Sequence, residues 1–221
     1  MTDRILFPTS PWPQGHIVTK FAWSGRLEPD SGLWFDLHLE SDDYFAVEPT
    51  HLKPEAHQTS NWDAPAVWGN YGACTLSSVE WGEQDGFRVG TPDQPFDINT
   101  LENREFWVDR LGAPADSYQD PFRIYLQGFD SVADMRIQFG PRHTIDRFGL
   151  TWEGRIALTY RGDDSFRYRF ETQIQNCRFE GFYLAEKCTV EAAWRLFRTH
   201  VTHPEAYTYD GWTFSLKDTA T

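Results

Sequence analysis

From Phe148 to Tyr160 every even position is apolar or glycine: Phe148, Leu150, Trp152, Gly154, Ile156, Leu158 and Tyr160. Arg161-Gly162-Asp163-Asp164-Ser165 interrupts this run, and the alternation resumes at Phe166, Tyr168, Phe170, Thr172 and Ile174. Successive side chains of a strand point to opposite faces of a sheet, so a period of two over this length predicts a long β-hairpin with one apolar face and one polar face. A turn centred on Asp163 sets Ile156 against Phe170, Gly154 against Thr172 and Trp152 against Ile174. On the polar face it sets Arg155 against Glu171, an opposite-charge pair that supports the same alignment. A one-residue slip would bury arginines, so the register is expected to be strongly specified. Past Asn176 the apolar set moves to odd positions, Cys177 and Phe179, which predicts a β-bulge or bend.

The rest of the chain extends this pattern. His16 to Trp23 reads as a strand, and Leu33, Phe35, Leu37 and Leu39 alternate with polar partners to give another. Residues 1–15 read as irregular, and Tyr44–Val47 as a short strand. Thr75–Trp81 and Phe87–Val89 read as a second hairpin around Gly82–Gly86. Phe122, Ile124 and Leu126, then Met135, Ile137 and Phe139, precede the central hairpin and predict a meander of at least four antiparallel strands over about 122–184. Two helices are expected. Asn99 to Leu111 has a capping-box pair in Asn99 and Glu102 and a plausible terminator in Gly112, although Phe106-Trp107-Val108 would also suit a strand. Thr189 to Val201 places Val190, Ala193, Trp194, Phe197 and Val201 at helical spacing, and His203-Pro204 stops it. Tyr207–Leu216 changes parity at Asp210-Gly211. Residues 48–72 have no period and read equally as a functional loop or as a pair of strands.

With 16% aromatic and 40% hydrophobic residues, the 221-residue chain can bury a sizeable core. The expected class is mainly β: one domain spanning 1–221, an antiparallel meander forming a barrel or a two-sheet sandwich, with one or two packed α-helices.

Charge narrows the partners. The net charge is −13, which disfavours nucleic acid and an anionic membrane surface, since both are bound through Lys and Arg. Residues 1–119 carry 19 acidic against 7 basic side chains, a net of −12. Such a surface suits a basic protein partner. Cys74, Cys177 and Cys188 form no Cys-x-x-Cys pair, and no export-signal pattern opens the chain, so a reducing, cytoplasmic setting is expected.

No motif names a reaction. The chain has no Gly-x-Ser-x-Gly elbow and no phosphate-binding glycine loop. Asp42-Asp43 and Asp163-Asp164 are explained by turns. His200 and His203 have a spacing that can place two imidazoles together, yet a helix C-terminal role explains them better. His51 and His57 lie in the irregular segment without ligand spacing. No cofactor and no metal are expected.

The apolar face of the hairpin is the most informative surface. Trp152, Gly154, Tyr160, Tyr168 and Thr172 combine large apolar groups, hydroxyls and a missing side chain, a pattern suited to an aromatic-lined cavity for an apolar or aromatic small molecule. Shape-driven isomerase or cyclase chemistry is compatible with it. Arg167 and Arg169, two apart on the other face, would clamp an anion. The competing readings are a non-catalytic acidic interaction module, inhibitor or immunity-like, and carbohydrate binding through exposed Trp62 and Trp68.

Overall fold

A computed structural model describes residues 2–44, 60–82, 85–113, 121–184 and 188–217. Its strands are β1 (Arg4–Leu6), β2 (His16–Glu28), β3 (Gly32–Ser41), β4 (Thr75–Ser77), β5 (Phe87–Gly90), β6 (Glu105–Val108), β7 (Arg123–Tyr125), β8 (Phe129–Thr144), β9 (Arg147–Ala157), β10 (Tyr168–Leu184), β11 (Tyr207–Tyr209) and β12 (Thr213–Leu216). The helices are α1 (Pro65–Trp68) and α2 (Val190–His200). The meander β7-β8-β9-β10 forms as its alternation predicts.

The sheet closes on itself. β1, β2, β3, β4, β7, β8, β9 and β10 make an eight-strand ring, because β1 pairs with both β2 and β10. Beyond the first residue of β1, Arg4, β2 and β10 pair directly in parallel. A closed ring removes the exposed edges of an open sheet. Segment 1–15 therefore contains the three-residue strand that completes the ring, too short for a periodic signal.

Inward-facing side chains fill the barrel. Trp23 packs on Phe35, Phe139, Phe148 and Phe179, with ring centroids 4.7 to 5.8 Å apart. Trp152 meets Phe122 at 4.8 Å and Phe170 at 5.8 Å. Edge-to-face arrangements dominate, as the ring quadrupole favours. One end is sealed by α2, whose Phe197 stacks on Phe214 at 3.9 Å. Thr189 caps α2 by accepting the Ala192 N–H at 3.3 Å.

The central hairpin forms with the expected faces but in a register two residues away. Tyr168 opposes Ile156, Phe170 opposes Gly154 and Thr172 opposes Trp152. The connection runs from Leu158 to Arg167 and includes a 3-10 turn at Thr159–Arg161, with Gly162 at φ 75° and Phe166 at φ 45°. A two-residue slip preserves the faces, which is why alternation does not detect it. It replaces the Arg155–Glu171 pair: Arg155 now opposes Arg169, and Glu153 opposes Glu171. The bulge near Asn176 is present, as a register shift between Ile174 and Cys177.

Other expectations change. Asn99–Leu111 is not a helix. Asp97, not Asn99, caps a short 3-10 turn at Ile98–Thr100, and Glu105–Val108 pairs with β8. A neighbouring strand edge prevails over a modest helical pattern there. The hairpin expected at Thr75–Val89 does not form: β4 lies between β3 and β7, and β5 pairs with β3. Tyr44 lies in a turn, and the rest of the strand expected at 44–47 falls outside the described residues.

Gly154 has a packing role. A Cβ at that position would sit 2.7 Å from Phe170 Cε1 and 2.8 Å from Met135 Cγ. Gly154→Ala should therefore lose about 1–3 kcal/mol by overpacking. The same change should be at least about 0.5 kcal/mol cheaper in a Phe170→Leu background, because the two positions are in contact. Urea melts of the four proteins would measure this, and strict additivity would show that the ring does not occupy the gap.

Candidate functional site

The ends of β1, β3, β7 and β9 and the starts of β2, β4, β8 and β10 meet at one end of the barrel, opposite α2. Phe7, Trp12, His16, Tyr44, Trp62 and Trp68 pack together there, and all are buried. His16, 2% exposed, sits among four rings: Tyr44 at 4.6 Å, Trp12 at 5.3 Å, Phe7 at 6.0 Å and Trp68 at 6.2 Å. Trp62 stacks on Tyr168 at 4.3 Å with planes 14° apart. Trp68 donates its indole N–H to Trp62 O at 2.9 Å, and Trp62 donates to Pro8 O at 3.0 Å.

This end also holds buried polar groups. Among the described residues, His16 Nε2 has no hydrogen-bond partner, and neither has Gln127 Oε1. Gln127 Nε2 donates to Asn61 O at 3.2 Å. Asp130 accepts the backbone N–H groups of Gln127 and Tyr160, both at 3.2 Å. Tyr44 donates to Leu126 O at 3.4 Å. Burial, helped by the Arg4 charge, lowers the His16 pKa to about 4, so the imidazole is neutral at pH 7. Burial raises the Asp130 carboxyl and the Cys74 thiol above their ordinary values. Buried polar groups are ordinarily paired, and unpaired ones mark strain, water or a ligand.

The residues singled out on the hairpin separate. Trp152 is fully buried in the filled interior, and the space beside Gly154 holds the Phe170 ring. Thr172 donates its hydroxyl to Arg4 O at 2.9 Å, fastening β1. Tyr168 reaches the aromatic end through Trp62. Tyr160 lies outside the barrel, 60% exposed, against Tyr71 at 6.3 Å. Arg167 is held by Asp163 at 2.6 Å, whereas Arg169 lines a groove on the outer sheet face, so the two do not form one clamp. Trp62 and Trp68 are buried and offer no exposed indole platform for a sugar.

His200 is buried, with Nδ1 2.9 Å from Leu196 O, in the helix-end role. His203 pairs with Glu205 at 3.1 Å. No group of three metal-ligating side chains occurs among the described residues. His51 and His57 fall outside those residues.

One chain of hydrogen bonds resembles a nucleophilic relay. Ser77 Oγ is 3.0 Å from His38 Nδ1, and His38 Nε2 is 2.6 Å from Glu40 Oε1. However, Ser77 is fully buried and its oxygen accepts the N–H groups of Val79 and Glu80, both at 3.0 Å. A nucleophile needs a free approach and an available lone pair. This chain instead ties β3 to β4.

Sequence reasoning overlooked the aromatic end because its members come from separate segments with no shared period. The one available signal was the density of Trp, Tyr and His in residues 7–16 and 60–71, near prolines. Compared with known proteins, the chain matches no family model, no curated protein and no solved structure. Among the described residues, no helix is long and apolar enough to cross a membrane.

Proposed function

We propose that the protein binds a small, flat, apolar or aromatic molecule at the barrel end lined by Trp12, His16, Tyr44 and Trp68. The carrying observation is His16: a neutral, 2%-exposed imidazole inside an aromatic enclosure, whose Nε2 has no hydrogen-bond partner among the described residues. Ligand sites are mostly apolar with a few polar groups that orient the ligand, and barrel mouths are frequent locations. A ligand hydroxyl or carbonyl would satisfy Nε2. The reading extends to shape-driven isomerisation or cyclisation, in which the aromatic walls would hold the reacting conformer. It places the protein in the cytoplasm, where Cys74, Cys177 and Cys188 stay reduced.

A paired-ligand titration tests this. 1-Naphthol, which carries a hydroxyl, should bind the wild type at least about tenfold more tightly than naphthalene. His16→Phe should remove that preference while retaining naphthalene binding. Absence of binding by both, or an unchanged preference in the variant, would reject the reading.

A second reading, a docking module for a basic protein, is favoured by an aromatic strip whose Phe129 and Tyr160 are exposed and whose other members are half-buried. Trp81, Phe129, Tyr125, Tyr71 and Tyr160 follow one another at 5.2 to 6.3 Å. Arg161 donates to Tyr71 Oη at 2.9 Å. Tyr, Trp and Arg are the residues that most often carry interface energy.

A further inference from the structure

The outer face of the central hairpin carries an arrangement that its strand register creates. Arg155 of β9 lies directly opposite Arg169 of β10, and Glu153 directly opposite Glu171. Like charges facing each other across two strands are destabilising. Neighbouring strand β8 offsets only half of the set. Asp134 accepts from Arg155 Nε at 3.1 Å, and Arg136 pairs with Glu153 at 2.8 Å. Among the described residues, neither Arg169 nor Glu171 has an ion pair or side-chain hydrogen bond.

All four charges, together with the Asp134 that holds Arg155, line one depression of about 330 Å3. Its walls come from either side of these strands: Trp107 of β6, 45% exposed, and Pro8, which follows β1. The volume is at the small end of the range for ligand pockets. Two guanidinium groups side by side recognise a carboxylate, and two carboxylates side by side recognise a cationic nitrogen. Side chains two apart on a strand are separated by about 7 Å at their bases, which sets the distance between the two subsites.

We propose that this depression binds a small zwitterion whose cationic nitrogen and carboxylate stand several ångströms apart and whose apolar group rests on Trp107. The nitrogen lies between Glu153 and Glu171, and the carboxylate bridges Arg155 and Arg169. The site is distinct from the aromatic barrel end and does not depend on it.

The dipeptide glycyl-phenylalanine is a suitable probe, with its N-acetyl and C-terminal amide forms as controls. Binding is read from the Trp107 indole N–H signal, assigned by its loss in Trp107→Phe. The dipeptide should shift that signal with saturation below about 10 mM. Each blocked form should bind at least about tenfold more weakly, as should the dipeptide to Arg169→Gln and to Glu171→Gln. Because each variant relieves a like-charge pair, its melting temperature should equal or exceed that of the parent, an outcome that a merely structural role would reverse. No saturable shift, equal binding of the blocked forms, or a lowered melting temperature accompanying the loss of binding would overturn the proposal.

Discussion

Trp152→Ala should cost about 3–5 kcal/mol and lower the Tm by roughly 10 °C. The indole is fully buried and braced by Phe122 and Phe170. Its backbone neighbours across the strands are Thr172 and Ile137. The barrel walls are held in place by paired strands on both sides, so the site cannot collapse onto the vacated volume, and the cavity term stays large. Trp152→Phe should cost much less. It leaves an aromatic ring against Phe122 and removes an indole N–H that has no hydrogen-bond partner among the described residues. Chemical denaturation of both variants gives the comparison. If Trp152→Ala lost less than about 1 kcal/mol, the interior would not be the packed core described above.

The second large effect is on the pH dependence of stability. In the unfolded chain His16 titrates near its ordinary value of 6.5, and in the folded protein near 4. Above pH 6.5 both states hold the neutral imidazole. As the pH falls through 6.5 the unfolded state takes up the proton first, so stability declines until the folded form is also protonated near pH 4. The total loss is about 3 kcal/mol. Burial raises the carboxyl pKa of Asp36 and Asp130, and this opposes the decline, since each binds a proton more tightly when folded. Both groups are present in His16→Phe as well. The difference between the two stability curves therefore isolates His16: it should change by about 3 kcal/mol between pH 7 and pH 4. Parallel curves would show that the imidazole is solvated, and would remove the basis for a site at that end.

The packed interior and the aromatic end bear on each other. Part of the pattern on the hairpin's apolar face that suggests a cavity, Gly154 beside large rings, is satisfied from within by Phe170. The Thr172 hydroxyl is likewise taken by Arg4 O. Among the described residues, unpaired polarity at the barrel end lies at His16, where β2 starts, and at Gln127, between β7 and β8, beneath the rings that the N-terminal segment and the 60–71 segment bring over the barrel mouth.

Side-chain periodicity alone predicts an antiparallel β protein, its four-strand meander, a bulge near Asn176 and a helix over Thr189–Val201, and the structure contains all four, the bulge between Ile174 and Cys177 and the helix at Val190–His200. These features rest on side-chain periods of two and of about three and a half, which are local properties of the chain. The partner of each strand is a long-range property. β1 is three residues long and closes the ring only because β2 and β10 offer it edges from both sides. Glu105–Val108 becomes a strand because the edge of β8 is there to receive it. The two-residue shift of the hairpin leaves every side chain on its predicted face, so no pattern of hydrophobicity can report it. That shift nevertheless decides that Arg155 faces Arg169 and that Glu153 faces Glu171. Composition and period define which faces exist, and tertiary pairing decides which charges and which rings share them.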